Sequence, residues 1–199
     1  MELTKEVLKY IRNREGVDTP ETRYLSARRD GKDTTRYDMA KKQAESEPVS
    51  VERIIQLTNG FLKMCGMSPV PNPIICNPED KLKDSKGFYN QIKTDHNLNE
   101  RQDIVWMKFT GDGFLGVVAV SSDINFKMPS SRTDYTNRWY NNAGILVHRL
   151  GKTWDKRFVL VFPLCKIPNG YKRGDIECGI GNYLVDMGVP ILDYYSHRF

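Results

Sequence analysis

Ten lysines and arginines lie between residues 127 and 173, interleaved with seven aromatic residues and only two acids. This basic-aromatic window carries a charge of +8 (10 − 2), whereas the whole chain carries +5 (30 − 25), so the rest sums to −3. Cations beside flat rings are typical of surfaces that bind phosphates and stack unpaired bases. They are also typical of positively charged docking faces for proteins. The window therefore predicts a polyanionic partner.

The central part of the window, residues 128–143, is rich in hydroxyl and amide groups and has almost no aliphatic side chains. Its arginines are predicted to contact phosphate and sugar, and its rings to stack on unpaired bases, as is typical of RNA recognition. In the alternative, Trp139 and Tyr140 fold back onto the sheet and the arginines are only solvated. The candidate nucleic-acid-binding residues are Arg132, Tyr135, Arg138, Trp139, Tyr140, Arg149, Trp154, Lys156 and Arg157.

Two histidines and a lysine form a candidate site for metal-free cleavage of RNA: His148, His197 and Lys152. Imidazoles exchange protons near neutral pH. One would take the 2′-OH proton, the other would protonate the leaving oxygen, and the lysine would stabilise the phosphorane. In the alternative, His148 is a packed structural residue on a strand, between Leu146 and Leu150.

Carboxylates near the end of the chain offer another route to chemistry. Asp175 and Glu177, with Asp186 or Asp193, could hold Mg²⁺ for a two-metal nuclease. The favoured interpretation is that Asp175 caps a helix and Glu177 stabilises its first turn. The four cysteines are far apart, without the paired spacing of a zinc site, and are expected to be reduced. We therefore predict no metal and no cofactor.

The second half of the chain, residues 102–199, reads as sheet-rich. Residues 104–109 and 114–120 predict a β-hairpin, and the second of these strands is apolar on both faces, as in the middle of a covered sheet. Residues 145–148 and 158–162 predict two more strands, paired with each other. A helix beginning near Asp175 and a last strand at the chain's end complete this half.

The first half reads as helical. Thr4 and Ser50 are predicted N-caps, and Gly66 is predicted to end the second of these helices. Residues 1–50 comprise a short helix and a polar connection, expected to be solvated and mobile or to order on a partner. Residues 51–199 form the main domain, helical over 51–101. The predicted fold is α+β, with N-terminal helices packed on a mostly antiparallel sheet of about five strands, then one C-terminal helix and a terminal strand.

Composition narrows the setting of the protein. No run approaches the roughly 20 apolar residues that a membrane span needs. The first residues lack the basic-then-apolar pattern of a secretory signal. A cytoplasmic protein without membrane contact is expected.

Three strings in the last third carry a family resemblance: residues 157–163, 174–184 and 188–197. The resemblance extends over about residues 102–199, which resemble small proteins of phages and mobile elements of the anti-CRISPR kind. That resemblance implies an RNA- or ribonucleoprotein-directed inhibitor of a nucleic-acid-guided nuclease, with a Cas9-type effector as partner. The alternatives are a metal-independent ribonuclease and a non-catalytic protein-binding module.

Overall fold

The computed structural model describes residues 3–11, 19, 35–77, 85–98, 102–122 and 143–194. These residues form six helices and five strands, which confirms the predicted α+β class. The helices are α1 (Lys5–Leu8), α2 (Thr35–Ala44), α3 (Val51–Met64), α4 (Ser85–Asp95), α5 (Ala143–Arg149) and α6 (Arg173–Asp186). The strands are β1 (Ile74–Cys76), β2 (Ile104–Thr110), β3 (Leu115–Ser121), β4 (Trp154–Pro163) and β5 (Ile191–Tyr194).

The five strands form one mixed sheet in the order β1-β4-β2-β3-β5. Every neighbouring pair is antiparallel except β3 and β5, which are parallel. The hairpin of β2 and β3 lies in the interior of the sheet, with Val105 opposite Val120 on one side and Phe162 on the other. β3 is buried over almost its whole length, which confirms the prediction of a central strand covered on both faces.

Helices cover both faces of the sheet. Alternate residues of β2 belong to different apolar clusters: Val105 and Met107 join the main core with α1, α3 and α6, whereas Ile104 contacts the side of α4. A third cluster lies where α5 meets β3 and β5, and includes Val117 and Val147. The sheet is therefore the middle layer, and exposed functional groups of the strands can lie only at its ends and edges.

The helix ends predicted in the first half of the chain are confirmed. The hydroxyl of Thr4 accepts the N–H of Val7 at 3.3 Å, and that of Ser50 accepts the N–H of Arg53 at 3.3 Å. Gly66 follows α3 with a φ of +71°, a conformation that glycine adopts without steric cost.

The cap of α6 differs from the prediction by three residues. The helix begins at Arg173, so Asp175 lies inside its first turn and not before it. Its carboxylate accepts the backbone N–H of Lys172 at 2.6 Å. Asp175 therefore still stabilises the helix start, but from the third helical position and not from the cap itself.

Residues 145–148 form a helix, so the predicted strand there was wrong. They belong to α5, and β4 pairs instead with β1 and β2. A short apolar run fits a strand and a buried helix turn equally well. Here Leu146, Val147 and Leu150 share one helix side, which contacts β3 and β5.

Two further elements were not predicted. α2 lies in the segment interpreted as a polar connection, where it contacts β5 and buries Ala40. β1 lies in the proline-rich connector, directly after Pro73, as an edge strand of three residues. That position suits proline because an edge strand can lose a donor on its outer side. No helix in the described ranges is long and apolar enough to cross a membrane.

Candidate functional site

The structure divides the described part of the basic-aromatic window, residues 143–173, between the two ends of β4. Lys156 and Arg157 lie near the start of the strand, whereas Lys166 and Lys172 follow its end. The six steps from Arg157 to Pro163 span roughly 20 Å at 3.3 Å per residue. The basic residues that the structure describes in the window therefore lie at two separate places.

Lys156 and Arg157 protrude from the sheet on a bulge of β4. Lys108 of β2 is opposite Val159 and Thr110 is opposite Trp154, so one residue of β2 faces four residues of β4, 155–158. The carboxylate of Asp155 accepts the N–H of Arg157 at 2.8 Å, which holds the turn of the bulge. Both basic side chains are exposed.

Phe158 anchors this bulge to the core. Its ring lies 5.0 Å from that of Phe109 between centroids, and it packs against the main apolar cluster. Because Phe158 directly follows Lys156 and Arg157, its packing fixes the position of the backbone at these two residues. The bulge is thus a defined platform for Lys156 and Arg157.

The end of α5 lies at the same end of the sheet as the bulge. The carbonyl of Thr153, in the connection from α5 to β4, accepts the N–H of Gly111 in the β2–β3 turn at 2.8 Å. His148 and Arg149 are exposed in the last turn of α5. The β4-entry surface therefore comprises His148, Arg149, Lys152, Lys156 and Arg157.

Lys152 is not a free cation on this surface. Its ammonium forms an ion pair with Asp112 and lies 4.0 Å from the centre of the Phe114 ring. The hydroxyl of Thr110 also donates to the Asp112 carboxylate, at 2.6 Å. Asp112 was not singled out in the sequence because it is 40 positions from its partner and its turn, Thr-Gly-Asp-Gly, reads only as a hairpin connection.

The Asp112 carboxylate should make stability depend on pH in the acid range. Burial alone would raise its pKa, but the hydrogen bonds from Lys152 and Thr110 outweigh burial and hold the pKa below 3.8. A depressed folded-state pKa gives stability that is present above pH 3.8 and is lost as pH falls through the folded value. The urea midpoint of unfolding should therefore be higher for the wild type than for Asp112→Asn at pH 5–7. This difference in midpoint should disappear as the pH falls below about 3.8. A gap that stays constant down to pH 2 would contradict this.

Trp154 is buried, and its role in nucleic-acid binding stays a prediction. A Cβ built on Gly116 would lie 2.8 Å from Cη2 of this indole, so the ring occupies the space above the glycine. The Lys108 ammonium lies 4.9 Å from the centre of the Trp106 ring and 5.8 Å from that of Trp154. The indole therefore belongs to the core beside β3, and its Nε1 is buried with no hydrogen-bond partner among the described residues.

The candidate ribonuclease residues are only partly placed. His148 is on a helix and exposed, not packed on a strand face as predicted. Lys152 is engaged by Asp112. His197 lies outside the described residues, as do Arg132, Tyr135, Arg138, Trp139 and Tyr140. Whether the two histidines meet therefore stays a prediction.

The candidate carboxylates have structural contacts. Glu177 is buried and accepts the N–H of Val120 at 2.9 Å, beyond the end of β5 on the edge of β3. Asp186 accepts the hydroxyl of Tyr10 at 2.7 Å and so ties α1 to α6. In the part of the chain that the structure describes, no three histidine, cysteine, aspartate or glutamate side chains are grouped as metal ligands.

Two of the four thiols are inert by burial. Burial raises the pKa of Cys65 to about 12, and that of Cys76 to about 12 as well. A thiol is nucleophilic only as the thiolate, so these two cysteines act as small apolar residues.

Comparison with known proteins identifies no relative: no protein family, curated protein or solved structure matches this chain.

Proposed function

We propose that the protein binds RNA, free or within a ribonucleoprotein, through the β4-entry surface, and that it inhibits a nucleic-acid-guided nuclease. RNA binding is supported by the exposure of Arg149, Lys156 and Arg157 at one end of the sheet. Lys156 and Arg157 lie on the bulge that Phe158 anchors. The inhibitory role rests on the anti-CRISPR-like resemblance of residues 102–199.

The local charge supports a polyanionic partner. Residues 143–157 contain four lysines and arginines and a single acid, Asp155, a net of +3 (4 − 1). The carboxylate of that acid is engaged by the backbone of the bulge, where it accepts the N–H of Arg157. Exposed cations with this spacing suit successive phosphates, and they do not suit a mechanism in which an acidic protein surface mimics nucleic acid.

The described part of the surface favours contact with the phosphate backbone. Phe158 and Trp154, the rings nearest to the exposed cations in sequence, pack inward. Base stacking is therefore assigned in this proposal to Tyr135, Trp139 and Tyr140, as the sequence predicts.

The test is fluorescence anisotropy of a labelled, partly single-stranded RNA, titrated with protein in EDTA at several salt concentrations. Three phosphate contacts at about 0.7 each give an expected slope of log affinity against log salt near −2. A gel run afterwards should show intact RNA. Absence of saturable binding at about 50 mM salt would refute the proposal, and metal-free cleavage lost in His148→Ala would support the ribonuclease alternative instead.

The inhibitory part has its own readout. A Cas9-type effector loaded with guide RNA should cleave target DNA more slowly as protein is added, up to a stoichiometric end point. RNA binding with unchanged cleavage would remove the inhibitory role and leave the binding surface in place.

A further inference from the structure

A groove of about 550 Å³ lies between β1 and α4, on the far side of the sheet from β5. Its volume falls within the range of roughly 300–1,000 Å³ that is common for ligand sites. Strand residues Ile74, Ile75 and Cys76 form one wall, and helix residues form the other. None of these residues belongs to the β4-entry surface.

The groove follows the open edge of the sheet. β1 pairs with β4 on its inner side, and among the described residues no strand lies on its outer side. Successive strand residues point to opposite faces, so a cavity that touches Ile74, Ile75 and Cys76 in turn must run along the strand's edge. Backbone N–H and C=O groups of an edge strand face outward there.

The helical wall carries two apolar side chains, Phe88 and Ile92, together with the polar side chains of Gln91, Asp95 and His96. Phe88, Ile92 and Asp95 are spaced at i, i+4 and i+7, which places them on one side of α4. The Gln91 side chain donates to Oδ1 of Asp95 at 2.6 Å, which orients the carboxylate and leaves Oδ2 for a partner. Ile75, on the strand wall, is 67% exposed, so the wall also offers an apolar side chain to solvent.

We propose that this groove binds a short extended peptide of a partner protein, which adds to β1 as a sixth strand of the sheet. The outward backbone groups of β1 select a strand, because only an extended backbone offers matching donors and acceptors. Phe88 and Ile92 select an apolar side chain, and the exposed Asp95 carboxylate selects a lysine or arginine beside it.

The strand wall also fixes the length of the peptide. Residues 74–76 span about 7 Å at 3.3 Å per residue, so about three residues can pair. Pro73 at the strand start has no N–H and stops the ladder from running further. This limit also protects the edge against pairing with long strands and aggregation.

The probe is a fluorescein-labelled pool of six-residue peptides with alternating aliphatic residues and threonine and one fixed lysine. Saturable binding to the full chain is expected by anisotropy. Two N-methylated pools, blocked at odd or at even positions, should then differ by about tenfold or more, because a strand uses only one edge for pairing. Equal binding of the two pools, or no saturable binding of the parent pool, overturns the proposal.

Variants locate the site. Asp95→Asn should weaken the lysine pool about two- to fivefold, as expected for an exposed ion pair, and should leave a pool with norleucine in place of lysine unchanged. Glu52→Gln, at an exposed acid of α3, is the matched control and should change neither pool. RNA binding should be unchanged in both variants. A failure of the peptide-binding proposal can therefore be distinguished from a failure of the proposed RNA-binding function. A loss in Glu52→Gln equal to that in Asp95→Asn would move the site out of the groove.

Discussion

Replacing Arg149, Lys156 and Arg157 together by glutamine is expected to weaken RNA binding about 100-fold at low salt. Each exposed charge-assisted contact is taken to contribute about 1 kcal/mol, and a loss of 1.4 kcal/mol is tenfold in affinity. The slope of log affinity against log salt, near −2 for the wild type, should rise to about zero, since each lost contact with a single strand removes about 0.7 from its magnitude. Anisotropy titrations at four or more salt concentrations measure both quantities. All three side chains are exposed, so the fold should be unaffected.

The matched control removes the same charge elsewhere. Lys166, Lys172 and Lys63 are also exposed, but the first two follow the far end of β4 and the third lies on α3. Their joint replacement by glutamine lowers the net charge equally and, in the titrations at about 0.1 M salt, should cost less than about threefold, because charges beyond a Debye length of about 10 Å are screened there. Equal losses in the two triple variants would show a diffuse field effect and remove the β4-entry surface as a site.

The sequence predicted best those elements whose signals are local. The capping hydroxyls of Thr4 and Ser50, the terminating Gly66 and the β2–β3 hairpin each depend on a few neighbouring residues, and all are present in the structure. α2 escaped prediction because its residues lack apolar periodicity. Its place is set by contact with β5, which is about 150 residues later in the chain.

The site was predicted in composition but not in arrangement. The charge of residues 127–173 is a sequence property, whereas its division between the two ends of β4 depends on how that strand is paired. The ion pair of Lys152 could not be predicted because its partner, Asp112, is distant in sequence. The burial of Trp154 could not be predicted because nothing near it in sequence shows that Gly116 makes room for its ring.

A glycine inside a helix, such as Gly179 in α6, marks either a ligand's approach to the backbone or a close-packed surface. A Cβ at this position would lie 2.9 Å from Cε1 and 3.2 Å from Cε2 of Phe61, a ring that is fully buried between Tyr10 and Tyr183. The missing side chain therefore admits an aromatic ring of α3, and close packing of α3 on α6 explains the glycine.

Gly179→Ala should accordingly destabilise the protein by about 2 kcal/mol. Overpacking a filled core costs about 1–3 kcal/mol, and this outweighs the gain of up to about 1 kcal/mol from alanine's helix propensity. For a chain of this size the expected fall in Tm is roughly 4–8 °C, measured by calorimetry or circular dichroism. Gly174→Ala is the matched control, since Gly174 is exposed in the same helix with nothing within 4 Å of a built Cβ.

A double-mutant cycle with Phe61→Leu separates crowding from a general effect on the helix. If the ring is what the new methyl group meets, the cost of Gly179→Ala should shrink by about 1 kcal/mol or more in the Phe61→Leu background. Gly174→Ala should instead be neutral or stabilising in both backgrounds, because it changes only helix propensity. A Gly179→Ala variant as stable as wild type, or one whose cost is the same with phenylalanine and leucine at position 61, would contradict the packing of α3 against α6 through this glycine.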